Sequence, residues 1–154
     1  MSLLHLPEID HITSTVIGAA IEVHRHLGPG LLESAYIGCL ATELQAQRVP
    51  FERQKRLPLI YKGLPVNVDF RLDLLVGDKV IVEVKAIDRF APVHQAQLLT
   101  CLRLTGCPAG LLINFNVPVL KNGVKRVLNQ RNNALKARTA PAGQSADPEC
   151  AERS

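Results

Sequence analysis

The stretch VIVEVKAI, residues 80–87, is the most informative part of this 154-residue chain for its fold. It is almost wholly apolar and rich in β-branched residues, which predicts a strand over Lys79–Ala86 at the centre of a sheet. Glu83 and Lys85 interrupt the apolar run. Residues two apart in a strand point to the same face, so both charged side chains project together. Burying an unpaired charge costs several kcal/mol, so two charges in a central strand indicate a functional site.

A third charged residue, Asp73, lies ten positions before Glu83 on the preceding predicted strand. A turn at Gly77-Asp78 would place Asp73 opposite residue 82 or 83, so that its carboxylate converges with that of Glu83. Two neighbouring carboxylates repel each other and favour a cation between them, and oxygen ligands of this kind suit Mg²⁺ or Mn²⁺. The Lys85 ammonium could then neutralise charge that develops during a reaction. The alternative is that Lys85 simply forms an ion pair with Glu83 or Asp73 at a sheet edge.

The surrounding segments have the periodicities of an α/β domain. Apolar residues at three- and four-residue spacing predict amphipathic helices over 9–26, 31–47 and 92–105, and a period of two predicts further strands over 57–61, 66–76, 109–115 and 124–128. Three consecutive strands should form an antiparallel meander, after which the last long helix returns the chain to a parallel pairing. We predict one domain over residues 1–130 and a disordered tail over 131–154, which is rich in Pro, Gly, Ala, Ser and charged residues.

Composition narrows the class of protein. The 47% hydrophobic content can build a core. No apolar run is long enough to cross a bilayer and no secretory signal is recognisable, so we expect a cytoplasmic protein without a membrane partner. Four cysteines without CxxC spacing are expected to be buried as small apolar residues rather than to bind a metal. The net charge of +4 suits a phosphate-bearing partner without requiring one.

Gly30, Glu33 and Tyr36 open the second predicted helix, and two interpretations remain open for them. If Gly30 is the N-cap, Glu33 occupies position N3, where a carboxylate stabilises the helix start. Alternatively, Glu33 and Tyr36, one turn apart, face the polar end of the sheet and add to the metal site.

Two polar residues of the helix predicted over 92–105 are weaker candidates. Gln97 lies on its mostly apolar face, where a buried amide must be hydrogen-bonded and could help to position a site residue. His94, one turn earlier, is expected to be more exposed and could contact substrate, although a lone histidine at a helix start is more often structural.

Together these residues resemble a known family. Asp73, nine intervening residues and then Glu83-Val84-Lys85 match the D-x(n)-E-x-K signature of the PD-(D/E)XK nuclease superfamily, whose fold is restriction-endonuclease-like. Gly30, Glu33 and Tyr36 match the GxxExxY motif that names one small prokaryotic family assigned to that superfamily. Five blocks follow in that family's order over about residues 10–130: GPGLLESAY, FRLDLLV, VIVEVKA, HQAQLLTCL and GLLINF.

The resemblance implies an α-β-β-β-α-β core, with a mixed sheet flanked by helices, and a divalent-metal phosphodiesterase site. Asp73 and Glu83 would be metal ligands together with the Val84 backbone carbonyl. Lys85 would position or activate water, and Glu33 would correspond to the acid of the first helix.

The resemblance also implies that Gln97 corresponds to the glutamine of the Gln-x-x-x-Tyr element of RecB-like members. Two positions depart from the superfamily: Cys101 replaces that tyrosine, and Leu72 replaces the proline before the first aspartate. Tyr36, Gln97 and His94 are the candidate substrate contacts.

The leading functional hypothesis is a Mg²⁺- or Mn²⁺-dependent nuclease acting on DNA. The alternatives are a catalytically inactive nucleic-acid-binding or protein-interaction module with the same fold, and a phosphodiesterase acting on RNA or nucleotides. Because the domain is small, we also expect that it could work as a homodimer or in a larger complex.

Overall fold

The computed structural model describes the backbone of residues 2–130 and the side chains of residues 7–130. The predicted tail, 131–154, lies outside the described residues. The helices are α1 (Ser2–Leu27), α2 (Glu33–Ala46) and α3 (Pro92–Thr105). The strands are β1 (Phe51–Arg56), β2 (Leu59–Tyr61), β3 (Leu64–Val66), β4 (Arg71–Val76), β5 (Val80–Lys85), β6 (Ala109–Asn114) and β7 (Val124–Leu128), with a short 3₁₀ helix at Leu120–Gly123.

Five strands form one mixed sheet in the order β1-β4-β5-β6-β7. β5 and β6 pair in parallel through the crossover helix α3, whereas the neighbouring pairs are antiparallel. Helices α1 and α2 cover one face and α3 covers the other. The predicted α/β class and the α-β-β-β-α-β order of the core are therefore confirmed, and β5 lies at the centre of the sheet.

The two faces of β5 belong to two separate cores. Val82 and Val84 pack with the apolar sides of α1 and α2. Ile81 packs on the opposite face with Leu98 and Leu102 of α3. Because side chains alternate along a strand, Glu83 and Lys85 project to the α3 side.

The β4–β5 hairpin has one of the two predicted registers. Gly77 and Asp78 both have positive φ, 60° and 57°, the left-handed conformation that a tight hairpin turn requires. Leu74 lies opposite Val82, and continuing that register places Asp73 opposite Glu83.

The predicted meander was wrong in its first two strands. The edge strand of the sheet is β1, with the sequence FERQKR, whose largely exposed residues give no apolar alternation. Residues 59–61 and 64–66 form a separate two-stranded hairpin around the predicted Lys62-Gly63 turn. The predicted strand over 66–76 therefore divides into the end of this hairpin and β4.

Helix α3 has the predicted bounds and ends at Gly106, whose φ of 76° is left-handed. Helix α2 is shorter than predicted at both ends, and α1 begins earlier than predicted. Cys101 and Cys107 are buried free thiols and Cys39 is half-buried. Within residues 2–130, every helix is too short or too polar to span a membrane.

Candidate functional site

Strands β4 and β5 separate beside Asp73. Their pairing runs from Val76 and Val80 to Leu74 and Val82 and goes no further. Beyond it, the Val84 N–H donates a hydrogen bond of 2.9 Å to Asp73 Oδ2. The N–H and C=O of a strand residue point to the same edge, so the Val84 carbonyl also faces this opening, which we call the β4–β5 gap.

The alternation of side chains along β4 breaks at Asp73. Leu72 belongs to the core under α3, whereas Leu74 belongs to the core under α1 and α2, although residues two apart normally share a face. On the neighbouring strand, Gln54 has a φ of 54°, and the β1–β4 register has no pair at this position. A local irregularity of this kind turns a side chain away from its regular direction. It directs the Asp73 carboxylate into the β4–β5 gap.

The two carboxyl groups at the gap influence each other. Burial raises the pKa of Glu83 from its ordinary 4.5 to about 7, and the negative charge of Asp73 adds to the rise. Burial also raises the pKa of Asp73, against the hydrogen bond from Val84. The pair is therefore a concentration of negative charge in a poorly solvated position, which favours a cation.

Lys85 is half-buried beside this pair. Its positive charge acts to lower the pKa of both Asp73 and Glu83, but the effect of burial is larger and both pKa values remain raised. None of the ion pairs within 4 Å in the described part of the chain involves Lys85. Strand β5 also has a neighbour on each side, so Lys85 is not at a sheet edge. These two observations disfavour the simple ion-pair interpretation.

Glu33 reaches the end of β5 from the opposite helix layer. Its Oε2 accepts a hydrogen bond of 3.3 Å from the Ala86 N–H, and its charge contributes to raising the pKa of Asp73 and Glu83. The N-cap of α2 is Leu32, which places Glu33 at N1, and the cap has no side-chain hydrogen bond. The capping interpretation of Gly30 and Glu33 was therefore wrong.

Tyr36 is completely buried, which contradicts its prediction as a substrate contact. Its hydroxyl donates to the Gly28 carbonyl at 2.5 Å and accepts from the Leu31 N–H at 3.1 Å, while its ring stacks on Phe115. Tyr36 thus holds the loop that leads into Glu33.

Of the two candidates on α3, Gln97 differs from its prediction. Gln97 is exposed rather than buried, so the predicted obligatory hydrogen bond does not arise. It lies one turn before Cys101, whose thiol has a pKa of about 11, raised mainly by burial and then by the charges of Glu83 and Asp73. Gln97 therefore lies on the side of α3 that runs toward the carboxylates.

His94 has a structural role at the start of α3. The ring Nδ1 of His94 accepts a hydrogen bond of 2.9 Å from the Ala91 N–H, and the backbone N–H of His94 donates to the Ala91 carbonyl at 3.0 Å. Its ring lies edge-on to Phe90. These contacts fix the ring in the helix start, as the structural interpretation of a lone histidine expects.

Asn114 was not identified from the sequence. It is 2% exposed and lies beside Lys85 in the parallel pairing of β5 and β6. Its Oδ1 accepts from the N–H groups of Ile87 and Asn116, at 3.0 and 3.1 Å, and its Nδ2 donates to the Ile87 carbonyl at 2.8 Å. The amide therefore fixes the backbone directly after Lys85. Its sequence signal was a single amide at the end of the apolar run GLLIN.

The donor atoms at the β4–β5 gap fit a hard divalent cation. No group of three or more His, Cys, Asp or Glu side chains in the described residues is arranged to hold a metal. Mg²⁺, however, commonly uses one or two carboxylates and keeps several waters. Asp73, Glu83 and the Val84 carbonyl supply oxygen atoms of that kind.

Comparison with known proteins agrees with the fold. A family model for the PD-(D/E)XK nuclease superfamily matches residues 10–127. No curated protein and no solved structure matches the chain. The narrower GxxExxY assignment stays a prediction. From the extent of the family match and the mixed sheet flanked by helices, the chain belongs to the PD-(D/E)XK nuclease superfamily.

Proposed function

We propose that this protein is a divalent-metal-dependent nuclease that hydrolyses phosphodiester bonds in DNA. The observation that carries the proposal is the convergence of Asp73 and Glu83 at the β4–β5 gap, beside a lysine without an ion pair within 4 Å in the described residues. Superfamily membership supports a nuclease, and nucleases of this superfamily generally use divalent metals.

In this proposal Asp73, Glu83 and the Val84 carbonyl hold Mg²⁺ or Mn²⁺. The bound ion would acidify a water molecule and neutralise phosphate charge. Lys85 places an ammonium at the same face of the sheet, where it orients the attacking water and stabilises the negative charge that develops on the phosphate. Both roles require that the Lys85 ammonium is not already paired with a carboxylate.

Glu33 and Gln97 have supporting roles in the proposal. Glu33 adds negative charge near the metal ligands and holds the Ala86 N–H at the end of β5. Gln97, exposed on α3 one turn before Cys101, is available to hydrogen-bond substrate as it approaches the carboxylates. Tyr36 and His94 are not among the proposed substrate contacts, since both are engaged in structural hydrogen bonds.

Duplex DNA is the proposed substrate because the chain has few aromatic side chains on which unpaired bases could stack. It contains no Trp, two Tyr and four Phe. Of these, Tyr36 and Phe115 are fully buried. Binding to a duplex relies mainly on phosphate contacts, which the positive net charge favours.

The deciding experiment is a cleavage assay on plasmid, linear duplex DNA, single-stranded DNA and RNA, each with Mg²⁺, with Mn²⁺ and with a chelator. We expect metal-dependent cleavage of the duplex substrates. Preferential cleavage of RNA would instead favour the alternative of a phosphodiesterase acting on RNA. Absence of both metal binding and cleavage would contradict it in favour of an inactive binding module.

A further inference from the structure

The Tyr36 hydroxyl makes two hydrogen bonds to the loop before α2, although the ring itself lies in the core. It donates to the Gly28 carbonyl at 2.5 Å and accepts from the Leu31 N–H at 3.1 Å. Both partners belong to the short segment that leads into Glu33. Because a buried hydroxyl with its donor and an acceptor position both in use is held in place, it also fixes the backbone that it bonds to. The hydroxyl therefore sets the path of the chain that carries Glu33.

The same loop requires a glycine at position 30. Gly30 has a φ of 106°, a conformation that residues with a side chain rarely adopt and glycine adopts readily. A Cβ added there would meet no atom within 4 Å, so the requirement lies in the backbone angle and not in the space around it. Gly30, Glu33 and Tyr36 therefore form one unit, in which a turn and a hydroxyl present a carboxylate.

The Tyr36 ring connects this loop to the end of the strand that carries Lys85. It stacks on Phe115 with ring centroids 4.4 Å apart and planes 8° from parallel, and both residues are fully buried. The Phe115 N–H donates to the Lys85 carbonyl at 2.9 Å. The N–H of the next residue, Ala86, donates to Glu33 Oε2. These contacts form a closed cycle that runs from the loop through the two rings to the end of β5 and back to Glu33.

The bond that closes this cycle is weak on its own. At 3.3 Å, the bond from Ala86 to Glu33 is longer than most N–H···O hydrogen bonds, and Glu33 is half-buried. Leu32, the N-cap of α2, is apolar and cannot cap the helix through its side chain. The position of Glu33 therefore depends on Tyr36, which lies one helical turn further along.

We propose that Tyr36 is a positioning residue, whose hydroxyl holds the Glu33 carboxylate at the end of β5. The inference rests on the proposed function, in which Glu33 adds negative charge near the proposed metal ligands Asp73 and Glu83. Loss of the hydroxyl would release the loop and let the carboxylate turn away from the site. The groups on β4 and β5 would stay where they are.

The first test measures amide hydrogen exchange in the full chain without metal or substrate. Tyr36→Phe keeps the stacked ring but loses both hydrogen bonds of the hydroxyl. We expect the Ala86 N–H to exchange about fivefold faster or more, the factor that corresponds to one average hydrogen bond. Ala86 follows directly after β5, so its amide opens locally and reports on this contact rather than on global stability.

Two matched controls accompany this measurement. The neighbouring Ile87 N–H is held by Asn114 Oδ1 and not by Glu33, so it should keep its wild-type exchange rate. Tyr61→Phe, at an exposed tyrosine of the β2–β3 hairpin, removes a hydroxyl far along the chain from the loop and should change neither amide. Circular dichroism checks that the variants are folded.

The second test asks whether Tyr36 acts through Glu33, using kcat and KM for duplex DNA. Tyr36→Phe should lower kcat by about the same factor and leave KM unchanged, because Glu33 acts beside the metal ligands and not on the bound DNA. Glu33→Ala removes the carboxylate that Tyr36 positions. In that background, Tyr36→Phe should therefore have no further effect on kcat, whereas two independent effects would add.

Three results would overturn the inference. They are an Ala86 amide that exchanges at the wild-type rate in folded Tyr36→Phe, equal acceleration of the Ala86 and Ile87 amides, and additive losses of kcat in the double variant. If the exchange results hold while the wild type cleaves none of the substrates, the positioning of Glu33 is supported and the nuclease proposal fails. If Tyr36→Phe does not fold, Gly30→Ala takes its place, since it strains the same loop through φ without a clash, and the same acceleration at Ala86 is expected.

Discussion

Among single residues, Lys85 provides the test that would distinguish the proposed nuclease from an inactive relative. It lies beside Asp73 and Glu83 but holds no ion pair within 4 Å in the described part of the chain. Lys85→Ala should lower DNA cleavage by about a hundredfold or more, the effect of a lost catalytic group, and should leave Mn²⁺ affinity and the free energy of unfolding nearly unchanged. Lys121→Ala, at an exposed lysine of the 3₁₀ helix, is the control. Unchanged cleavage in Lys85→Ala would remove the lysine from the site.

Asp73→Asn should separate metal binding from folding. The asparagine oxygen can still accept the Val84 N–H, so the local hydrogen bond is kept while the charge is lost. We expect much weaker Mn²⁺ binding by calorimetry. The free energy of unfolding of Asp73→Asn should equal or exceed that of the wild type, because the repulsion between the carboxylates of residues 73 and 83 is removed. If Asp73→Asn were less stable than the wild type, and its folded form bound Mn²⁺ with wild-type affinity, the assignment of Asp73 as a metal ligand would be contradicted.

The raised pKa of Glu83 predicts how stability depends on pH. A carboxyl whose pKa is higher in the folded state than in the unfolded chain binds more protons when folded, so the free energy of unfolding falls as pH rises between the two values. For Glu83 that window is about pH 4.5 to 7, and the raised pKa of Asp73 acts in the same direction. Urea unfolding with a chelator at pH 5 and pH 7.5 should detect the loss, and Glu83→Gln should reduce it. A stability that rises through this window with the same slope in both proteins would contradict the burial of Glu83.

Among the elements, the end of β6 fixes the chain as it leaves β5. Asn114→Ala would leave the Ile87 N–H without its hydrogen-bond partner, and the Ile87 carbonyl would keep only its longer bond from Asn116. The cost should be about 2 kcal/mol or more, since an unsatisfied buried polar group costs 1–3 kcal/mol. Asn116→Ala, which removes one longer bond of 3.4 Å to the same carbonyl, should cost less than half as much. Urea unfolding compares the two, and faster amide exchange at Ile87 in the Asn114 variant would show that the loop is released.

For the whole molecule, metal binding should stabilise the fold, because the proposed ligands come from β4 and β5 and are brought together only in the folded sheet. At a free Mn²⁺ concentration of 100 times its dissociation constant, the free energy of unfolding should rise by about 2.7 kcal/mol. Thermal unfolding should shift upward by several degrees in the wild type and not in Asp73→Asn. An equal shift in both proteins would indicate metal binding elsewhere.

Local periodicity was sufficient to predict the centre of the fold. The run VIVEVKAI specified β5, its alternation placed Glu83 and Lys85 on one face, and the turn at Gly77-Asp78 predicted Asp73 opposite residue 82 or 83, in agreement with the pairing of Leu74 with Val82 next to it. Helix α3 and its Gly106 end were also predictable, since each of these features depends on residues close together in the chain.

The sequence by itself therefore determined the class of fold and the convergence of Asp73 with Glu83. Tertiary structure decided the rest. Edge strand β1 is recognisable only by its pairing with β4, because its largely exposed residues carry no apolar pattern. Glu33 lies beside the candidate site whereas Tyr36 lies in the core. This difference depends on tertiary contacts of Tyr36, whose hydroxyl bonds to Gly28 and whose ring stacks on Phe115. The role of Asn114 depends on a partner 27 residues away in the chain. Contacts between distant segments leave no local period, so only the packed structure could reveal them.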